Sequence, residues 1–295
     1  MTMHEPSGEL DTSQTPIRGG IVVAATPLGN LGDATDRLRM GLAQADVIAA
    51  EDTRRLRQLA NALGVELRAK VVSNFDHNEA ERTEGLIAQA KAGRMVLVVS
   101  DAGMPVVSDP GLAIVQAAHD ADVPVTCHPG PSAVTTALVL SGLNVGHFAF
   151  DGFAPRKQGA RRAWLETLRT ERRAVCFFES PHRLDKTLAD AVAVLGPDRR
   201  AAVCRELTKL HEEVRRGTLA ELAAWAVDGA RGEITVVIEG ASAADAAPDL
   251  AELVSQVQEL VGQGMRMKAA CRQVAAGFAG VSVNELYDAT IAEKS

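Results

Sequence analysis

From residue 20 onward the chain alternates short β-branched runs with longer amphipathic ones, and this alternation constrains the fold more than any other feature. Candidate strands lie at Ile21–Thr26, Val47–Ala50, Lys70–Asn74, Met95–Ser100 and Val123–Cys127. Helix-like stretches fall between them, near 35–44, 54–62, 79–92, 111–120 and 132–141. Strand–helix alternation predicts an α/β fold with a mostly parallel sheet covered on both faces. Ligands of such sheets bind beyond the carboxyl ends of the strands. Three loops there carry unusual residues: TPLGN after the first strand, SDAGMPVVSDPG after the fourth and HPGPS after the fifth.

A second α/β unit begins near His147, opening with the strand and basic loop FAFDGFAPRK. Further strands are expected at Arg173–Glu179, Ala201–Leu207, Glu213–Gly217 and Glu233–Glu239, with helices at Pro181–Leu195 and Leu219–Ala226. This second sheet is expected to be mixed in direction. The expected domains are a disordered tail (1–18), a first α/β domain (19–145), a second (146–240), an Ala/Asp-rich linker (241–249) and a helical unit (250–295). In the last, Ser282 with Glu285 three residues on reads as a capping box opening the second helix of a helix-turn-helix-like pair.

A length of 295 residues suits two domains, and 46% apolar against 23% charged residues excludes disorder as the main state. Only 3% of residues are aromatic, so Ala, Val and Leu must build the cores. The net charge of −7 excludes coating nucleic acid by bulk charge, so RNA binding would need a local basic patch. The N-terminal segment has acids and no apolar run of signal-peptide type, which predicts a soluble, cytoplasmic protein. Cys127, Cys176, Cys204 and Cys271 form no C-x-x-C pair and read as buried free thiols, so no metal site is expected. The nucleotide-binding G-x-G-x-x-G and G-x-x-x-x-G-K-[ST] patterns and the zinc pattern H-E-x-x-H are absent.

The loop 100–111 is the sharpest motif. Its glycines let a ligand approach the backbone, its prolines hold one shape, and Asp101 suits a ligand amine or ribose hydroxyl. A tight strand-to-helix connection explains SDPG equally well, but not the first half, because two to six residues would do. Ser132 and the neighbouring N–H groups suit a carboxylate or ribose oxygen, or Ser132 is a plain helix cap. In the second unit, FFESPHR places Glu179, His182 and Arg183 after an apolar strand, and CRELTKLHEE places Arg205, Glu206, Lys209 and His211 after another. Such charges line clefts, or form structural caps and ion pairs. From Ala154 to Arg173, seven basic residues stand against two acidic ones, a stripe suited to phosphates or a solvated helix face.

The segments ATPLGNLGDAT, AEDTR, SDAGMPVVSDPG, PGPSA, FDGFAPRK, ESPHRL, CRELTKLHEE and GEITVVIEG, in this order, resemble the bacterial 2′-O-ribose methyltransferases of 16S ribosomal RNA. These belong to the tetrapyrrole methylase-like (class III) superfamily, and the resemblance covers about residues 20–240. It implies S-adenosylmethionine (SAM) as methyl donor, a homodimer, and cytidine-1402 of the small ribosomal subunit as target. It implies a donor cleft between two α/β domains, with contacts from Leu28, Asp101, Gly103, Met104, Ser132 and Ala133 and from Phe178, Leu207 and Ile234. Met104 departs from the family pattern, where Thr or another small residue is expected.

Methyl transfer to a hydroxyl is an in-line displacement on an already activated carbon, so the protein mainly supplies alignment. The hydroxyl loses its proton as the bond forms, which calls for a base or a cation near the oxyanion. Lys209, Glu179 and Glu206 are the candidates, with Lys209 either an amine kept neutral by burial and Arg205 and so free to accept the proton, or a charged stabiliser. Arg54, Arg156, Lys157, Arg161 and Arg162 are the expected RNA contacts. The alternatives are a tetrapyrrole C-methyltransferase of the same superfamily and a non-catalytic ribosome-assembly factor. The basic stripe and the helical unit argue against the first, and three ligand loops on one sheet edge argue against the second.

Overall fold

In the computed structural model, which describes residues 19–74, 79–242, 250–277 and 281–293, the first five strands form one parallel sheet. They are β1 (Gly20–Ala24), β2 (Val47–Ala50), β3 (Lys70–Ser73), β4 (Met95–Val99) and β5 (Val125–His128), in the order β3-β2-β4-β1-β5. Both faces of the sheet's centre are apolar, because side chains alternate along each strand and every position of β1, β2 and β4 is apolar or small and buried. Ile21, Val23, Val47, Ala49, Val96 and Val98 pack under α3 (Glu79–Lys91) and α4 (Leu112–Asp120). Val22, Ala24, Ile48, Ala50, Leu97 and Val99 pack under α1 (Asp36–Gln44) and α2 (Thr53–Ala62). Fully buried side chains such as Leu38, Leu42, Leu97 and Ile114 each contribute roughly 1.5–3 kcal/mol by leaving water.

The helices sort by face, and this positions the ligand edge. The chain leaves β1 toward the face of α1 and leaves the adjacent β4 toward the face of α4. A crevice opens where neighbouring parallel strands send their connections to opposite faces, which is the usual ligand position in such sheets.

The chain divides after Ser132 into two units. The helix α5 (Ala133–Ser141) belongs to the second, so the division falls earlier than the 145/146 boundary expected from the sequence. The reason is packing: Val134, Ala137, Leu138 and Ser141 are buried, and the Cys204 thiol reaches the Ala137 carbonyl at 3.8 Å.

The second sheet runs β6-β7-β10-β8-β9, from β6 (Phe148–Phe153), β7 (Ala174–Glu179), β8 (Arg200–Arg205), β9 (Glu213–Thr218) and β10 (Ile234–Ile238). Only β6 and β7 pair in parallel, so the sheet is mixed. One face is covered by α6 (Gln158–Thr167), α7 (Leu184–Leu195) and α8 (Leu219–Ala226). At α6 the sequence offers a helix face only as the alternative to a phosphate stripe. It also places the start of α7 at Pro181, whereas residues 181–183 form a turn, closed by the Arg183 N–H on the Ser180 carbonyl at 3.0 Å.

Three helices, α9 (Leu250–Gly262), α10 (Met267–Ala276) and α11 (Val283–Ala292), share a small core of Leu253, Val257, Ala270, Cys271 and Leu286. Ser282 caps α11 by accepting from the Glu285 N–H at 3.4 Å. The expected tail and residues 243–249 of the expected linker lie outside the described residues. Cys176, Cys204 and Cys271 are buried free thiols and Cys127 is half-buried. Burial pushes Cys176 and Cys204 up to about 12. No helix among the described residues is long and apolar enough to cross a membrane.

Candidate functional site

The three loops singled out by the sequence follow β1, β4 and β5, which are neighbours in a parallel sheet, so their loops meet on one edge. Two reciprocal backbone bonds join the first two: Thr26 N–H to Gly103 O at 2.9 Å and Gly103 N–H to Thr26 O at 3.0 Å. The Ser100 hydroxyl also donates to Gly103 O, at 3.2 Å. Gly103 has φ +84°, and a Cβ there would lie 3.0 Å from Leu28 Cδ2 and 3.7 Å from Pro131 O. Glycine is required both by the left-handed backbone and by this close approach. Leu28, Gly103 and the Pro131 that precedes Ser132 and Ala133 are thus brought together, while Met104 packs half-buried against the core under α3 and α4.

Asp101 stands at the end of β4, half-buried and engaged. Its Oδ1 accepts from the Asp52 N–H at 3.0 Å, and its Oδ2 lies 3.2 Å from Arg55 Nη1. Its own N–H donates to Glu51 Oε2 at 3.1 Å. Burial raises its pKa, opposed by the Asp52 N–H and by Arg55. The AEDTR segment therefore braces Asp101 through Arg55, which sequence reasoning missed in favour of Arg54. Arg54 is 85% exposed and pairs with Asp52 at 3.1 Å, which with backbone bonds lowers Asp52 to about 2. Asp52 caps α2 through the Arg54 and Arg55 N–H groups, and an Asp before a helical run was the legible signal.

In the second unit the singled-out residues converge on one end of the sheet. Ile234 pairs across β10 with Glu179 on one side and Arg205 on the other, and Phe178 and Leu207 are next to those partners. Phe178 makes edge-to-face contacts with Phe150 and Phe153, with ring centroids 5.0 and 5.4 Å away. The loop after β8 is strained: Glu206 has φ +52° and Thr208 φ +66°. Of five described non-glycine residues with positive φ, four lie in this loop or in loop 100–111. Strain of this kind concentrates at ligand-handling loops. Thr208 Oγ1 is buried with no hydrogen-bond partner among the described residues.

Lys209 Nζ lies 2.9 Å from Glu206 Oε1 and 3.3 Å from Glu233 Oε2. Burial pulls its pKa down, but the hydrogen bond to Glu206 and the charge of Glu233 outweigh it, and the net shift is upward. Of the two readings of Lys209, this direction favours the charged stabiliser over the neutral amine, and the Arg205 guanidinium is itself paired with Glu213 at 2.7 Å. Glu206 Oε1 also accepts from the Glu233 N–H at 3.0 Å, which with Lys209 holds Glu206 below the usual range. Gly232, with φ +84°, makes room: a Cβ there would overlap the Glu206 carboxylate. Glu206 Oε2 is left without a hydrogen-bond partner among the described residues.

Glu179 does not present a free carboxylate. It is 2% exposed and accepts from Thr187 Oγ1 at 2.5 Å and the Ser180 N–H at 2.6 Å, with Arg183 Nη2 at 2.5 Å. Buried and saturated, it serves as a brace.

The basic stripe is reduced by tertiary pairing. Arg161 is 3% exposed and bonds Asp190 through Nε and Nη2 at 2.9 and 2.6 Å, which corrects its assignment to RNA phosphates. The legible signal was spacing: Arg161, Leu165 and Leu168 fall at i, i+4 and i+7 on the buried face. Arg162 also pairs with Asp190, at 2.7 Å, but is half exposed. Arg169 pairs with Glu166 and Arg173 with Glu171. Arg156 and Lys157 are exposed and pair with no acid among the described residues.

Comparison with known proteins follows the same lines. The family model for tetrapyrrole (corrin/porphyrin) methylases matches residues 20–223. The chain is 57% identical over 275 residues to a Mycobacterium tuberculosis protein named ribosomal RNA small subunit methyltransferase I, covering 92% of this chain and 95% of that one. It is 40% identical to the protein of the same name from Halalkalibacterium halodurans, covering 92% and 94%. A uroporphyrin-III-C-methyltransferase from Thermus thermophilus superposes with a TM-score of 0.54 at 22% identity, covering 75% of this chain and 94% of that one. A diphthine synthase gives 0.53 at 19%, covering 74% and 89%. These two likenesses are of fold.

Proposed function

The chain belongs to the tetrapyrrole (corrin/porphyrin) methylase family and is a methyltransferase, and from that premise we propose that it methylates the ribose 2′-hydroxyl of cytidine-1402 in 16S ribosomal RNA, with SAM as donor. The observation that carries the reading is extent. Identity to the ribosomal RNA methyltransferases spans 92% of the chain, whereas the tetrapyrrole enzyme's structure covers 75%. The shared length therefore exceeds the family domain of residues 20–223.

The residues of the first unit fit the donor. Gly103, bare of a side chain beside Leu28, leaves backbone open to a ligand, and Asp101 is braced as an acceptor. Leu28, Asp101, Gly103, Met104 and Ser132 are the proposed contacts there, with Ala133, Phe178, Leu207 and Ile234 as further ones from the second unit. The donor supplies an activated methyl group on a sulfonium, so no metal is required. Lys209, held as an ammonium, would stabilise the developing 2′-oxyanion, and Glu206 Oε2 would accept the hydroxyl proton as the carbon–oxygen bond forms and the sulfur–methyl bond breaks, its electron pair staying on the leaving thioether. Arg156, Lys157, Arg162 and Arg54 meet phosphates. The protein is proposed to act as a cytoplasmic homodimer.

The test is to incubate the protein with labelled SAM and small ribosomal subunits and to map the RNA by mass. Label on the ribose of cytidine-1402 is expected. Label on a base, or on no RNA, would overturn the reading.

A further inference from the structure

Three consecutive carbonyls after β6 accept from two arginines. Arg183 Nη1 donates to Ala154 O at 3.4 Å. Arg161 Nη1 donates to Pro155 O at 3.5 Å and to Arg156 O at 3.3 Å. Each arginine is braced by its own buried carboxylate: Arg161 by Asp190, and Arg183 by Glu179, which Thr187 and the Ser180 N–H hold in turn. The Ala154 N–H is also engaged, donating to Phe178 O at 3.1 Å. At the foot of the loop, the Trp164 indole N–H ties Asp151 to α6 at 2.8 Å.

This bracing exceeds what the core needs there. Of residues 154–157 only Ala154 is fully buried, and the two side chains at the tip, Arg156 and Lys157, point to no acid among the described residues. Two ion pairs on buried carboxylates, one of them buried on both sides, are an expensive way to anchor a segment with one buried residue. They are well suited to fixing a loop whose ligand lies outside it, because a preorganised loop loses less conformational entropy on binding.

We propose that Arg161 and Arg183 are positioning residues that hold Arg156 and Lys157 as a rigid basic tip for adjacent phosphates of the substrate RNA. The proposal rests on the reading of the chain as an RNA methyltransferase and names how that RNA is gripped.

The experiment compares the full-length parent, the Arg156→Ala/Lys157→Ala variant, and an Arg161→Met/Asp190→Leu/Arg162→Gln variant, which removes the buried pair together with Arg162, the second arginine on Asp190, and so leaves no unpaired charge. Methylation of small ribosomal subunits, RNA affinity across salt concentrations and SAM affinity are measured for each. Removing the tip lowers RNA affinity about tenfold and lessens the salt slope by about 2. The clamp variant keeps both tip charges, yet its KM for RNA rises about fivefold and its salt slope moves toward that of the tip variant. Its SAM affinity and its kcat at saturating RNA stay within about twofold of the parent.

A folded clamp variant with the parent's KM and salt slope overturns the proposal. If that variant does not fold, Arg161→Lys retains the charge on Asp190 but lacks the fork that reaches both carbonyls, and the same two outcomes decide. A parent that methylates no ribosomal RNA overturns the functional reading itself. A parent that does, beside a tip variant of unchanged RNA affinity, overturns this proposal alone.

Discussion

Lys209 donates from Nζ to Glu206 Oε1 at 2.9 Å across a turn in which Glu206 itself adopts a left-handed backbone of φ +52°. A strained carboxylate thus holds the amine charged, with Glu233 as a second anchor. A protonated lysine cannot take a proton, so the role proposed for it is to stabilise the oxyanion.

Replacement of Lys209 by Met should slow the methyl-transfer step by about 10²-fold, the loss typical of one oxyanion donor, with SAM affinity kept. Single-turnover kinetics with saturating RNA measures the step. A rate within a few-fold of the parent would leave the ion pair structural only.

The pH profile follows from the directions of the two shifts. Glu206 lies below its ordinary 4.5, so it remains an ionised acceptor until the pH falls through that lowered value. Lys209 lies above its ordinary 10.5, so it remains charged until the pH rises past that. The single-turnover rate should therefore be flat from about pH 6 to 9, these two groups being the relevant ones. A basic limb near neutrality would instead indicate a lysine acting as a neutral base.

Asp101 has a raised pKa, with burial as the largest cause. A carboxylate raised above its unfolded value disfavours the folded state once the pH climbs through the folded value, and is neutral to stability below the unfolded one. Asp101→Asn should then melt at or above the parent's temperature at pH 7, with the difference gone near pH 3. SAM binding should weaken by about 1–3 kcal/mol as the charged acceptor is lost. Calorimetric melts and titration with SAM check the two halves separately.

At Gly103 an alanine would take a left-handed backbone and press its Cβ to 3.0 Å from Leu28 Cδ2. Gly103→Ala should cost about 1–2 kcal/mol of stability from the backbone alone, read by chemical denaturation. SAM affinity should fall with it, because the methyl group fills the approach between three loops.

Glu179→Ala separates brace from chemistry. Loss of the acid leaves Arg183, Thr187 and the Ser180 N–H without their shared acceptor, at a cost on the order of 3 kcal/mol. The folded fraction should still transfer methyl within a few-fold of the parent at saturating RNA, unlike Lys209→Met.

Much of the fold was legible. The strands at 47–50, 70–73 and 95–99 match the β-branched runs within a residue: β2 and β4 are buried on both faces and so apolar at every position, while the edge strand β3 keeps Val71 and Val72 between exposed Lys70 and half-buried Ser73. The edge shared by the TPLGN, SDAGMP and HPGPS loops was also legible, since parallel strands put their carboxyl ends together. Helix α6 was less so, because a basic residue, Arg161, stands on its buried face beside Leu165 and Leu168. The late start of α7 was hidden for another reason: Ser180-Pro181 has the local chemistry of a helix start, but the buried Glu179 binds the Ser180 N–H and Arg183 across the turn.

The sequence by itself determined the layers, the loops that gather at the first sheet's edge and the family, since each is written in local periodicity and contiguous motifs. Only the tertiary structure decided which charges are available for chemistry. Arg161 meets Asp190 from a helix 29 residues on, Asp101 meets Arg55 from the helix after a neighbouring strand, and Lys209 meets Glu233 just before β10. A charge is released or neutralised by what packing brings within about 4 Å, where Coulomb attraction in a half-buried setting outweighs hydration. No spacing along the chain encodes those distances.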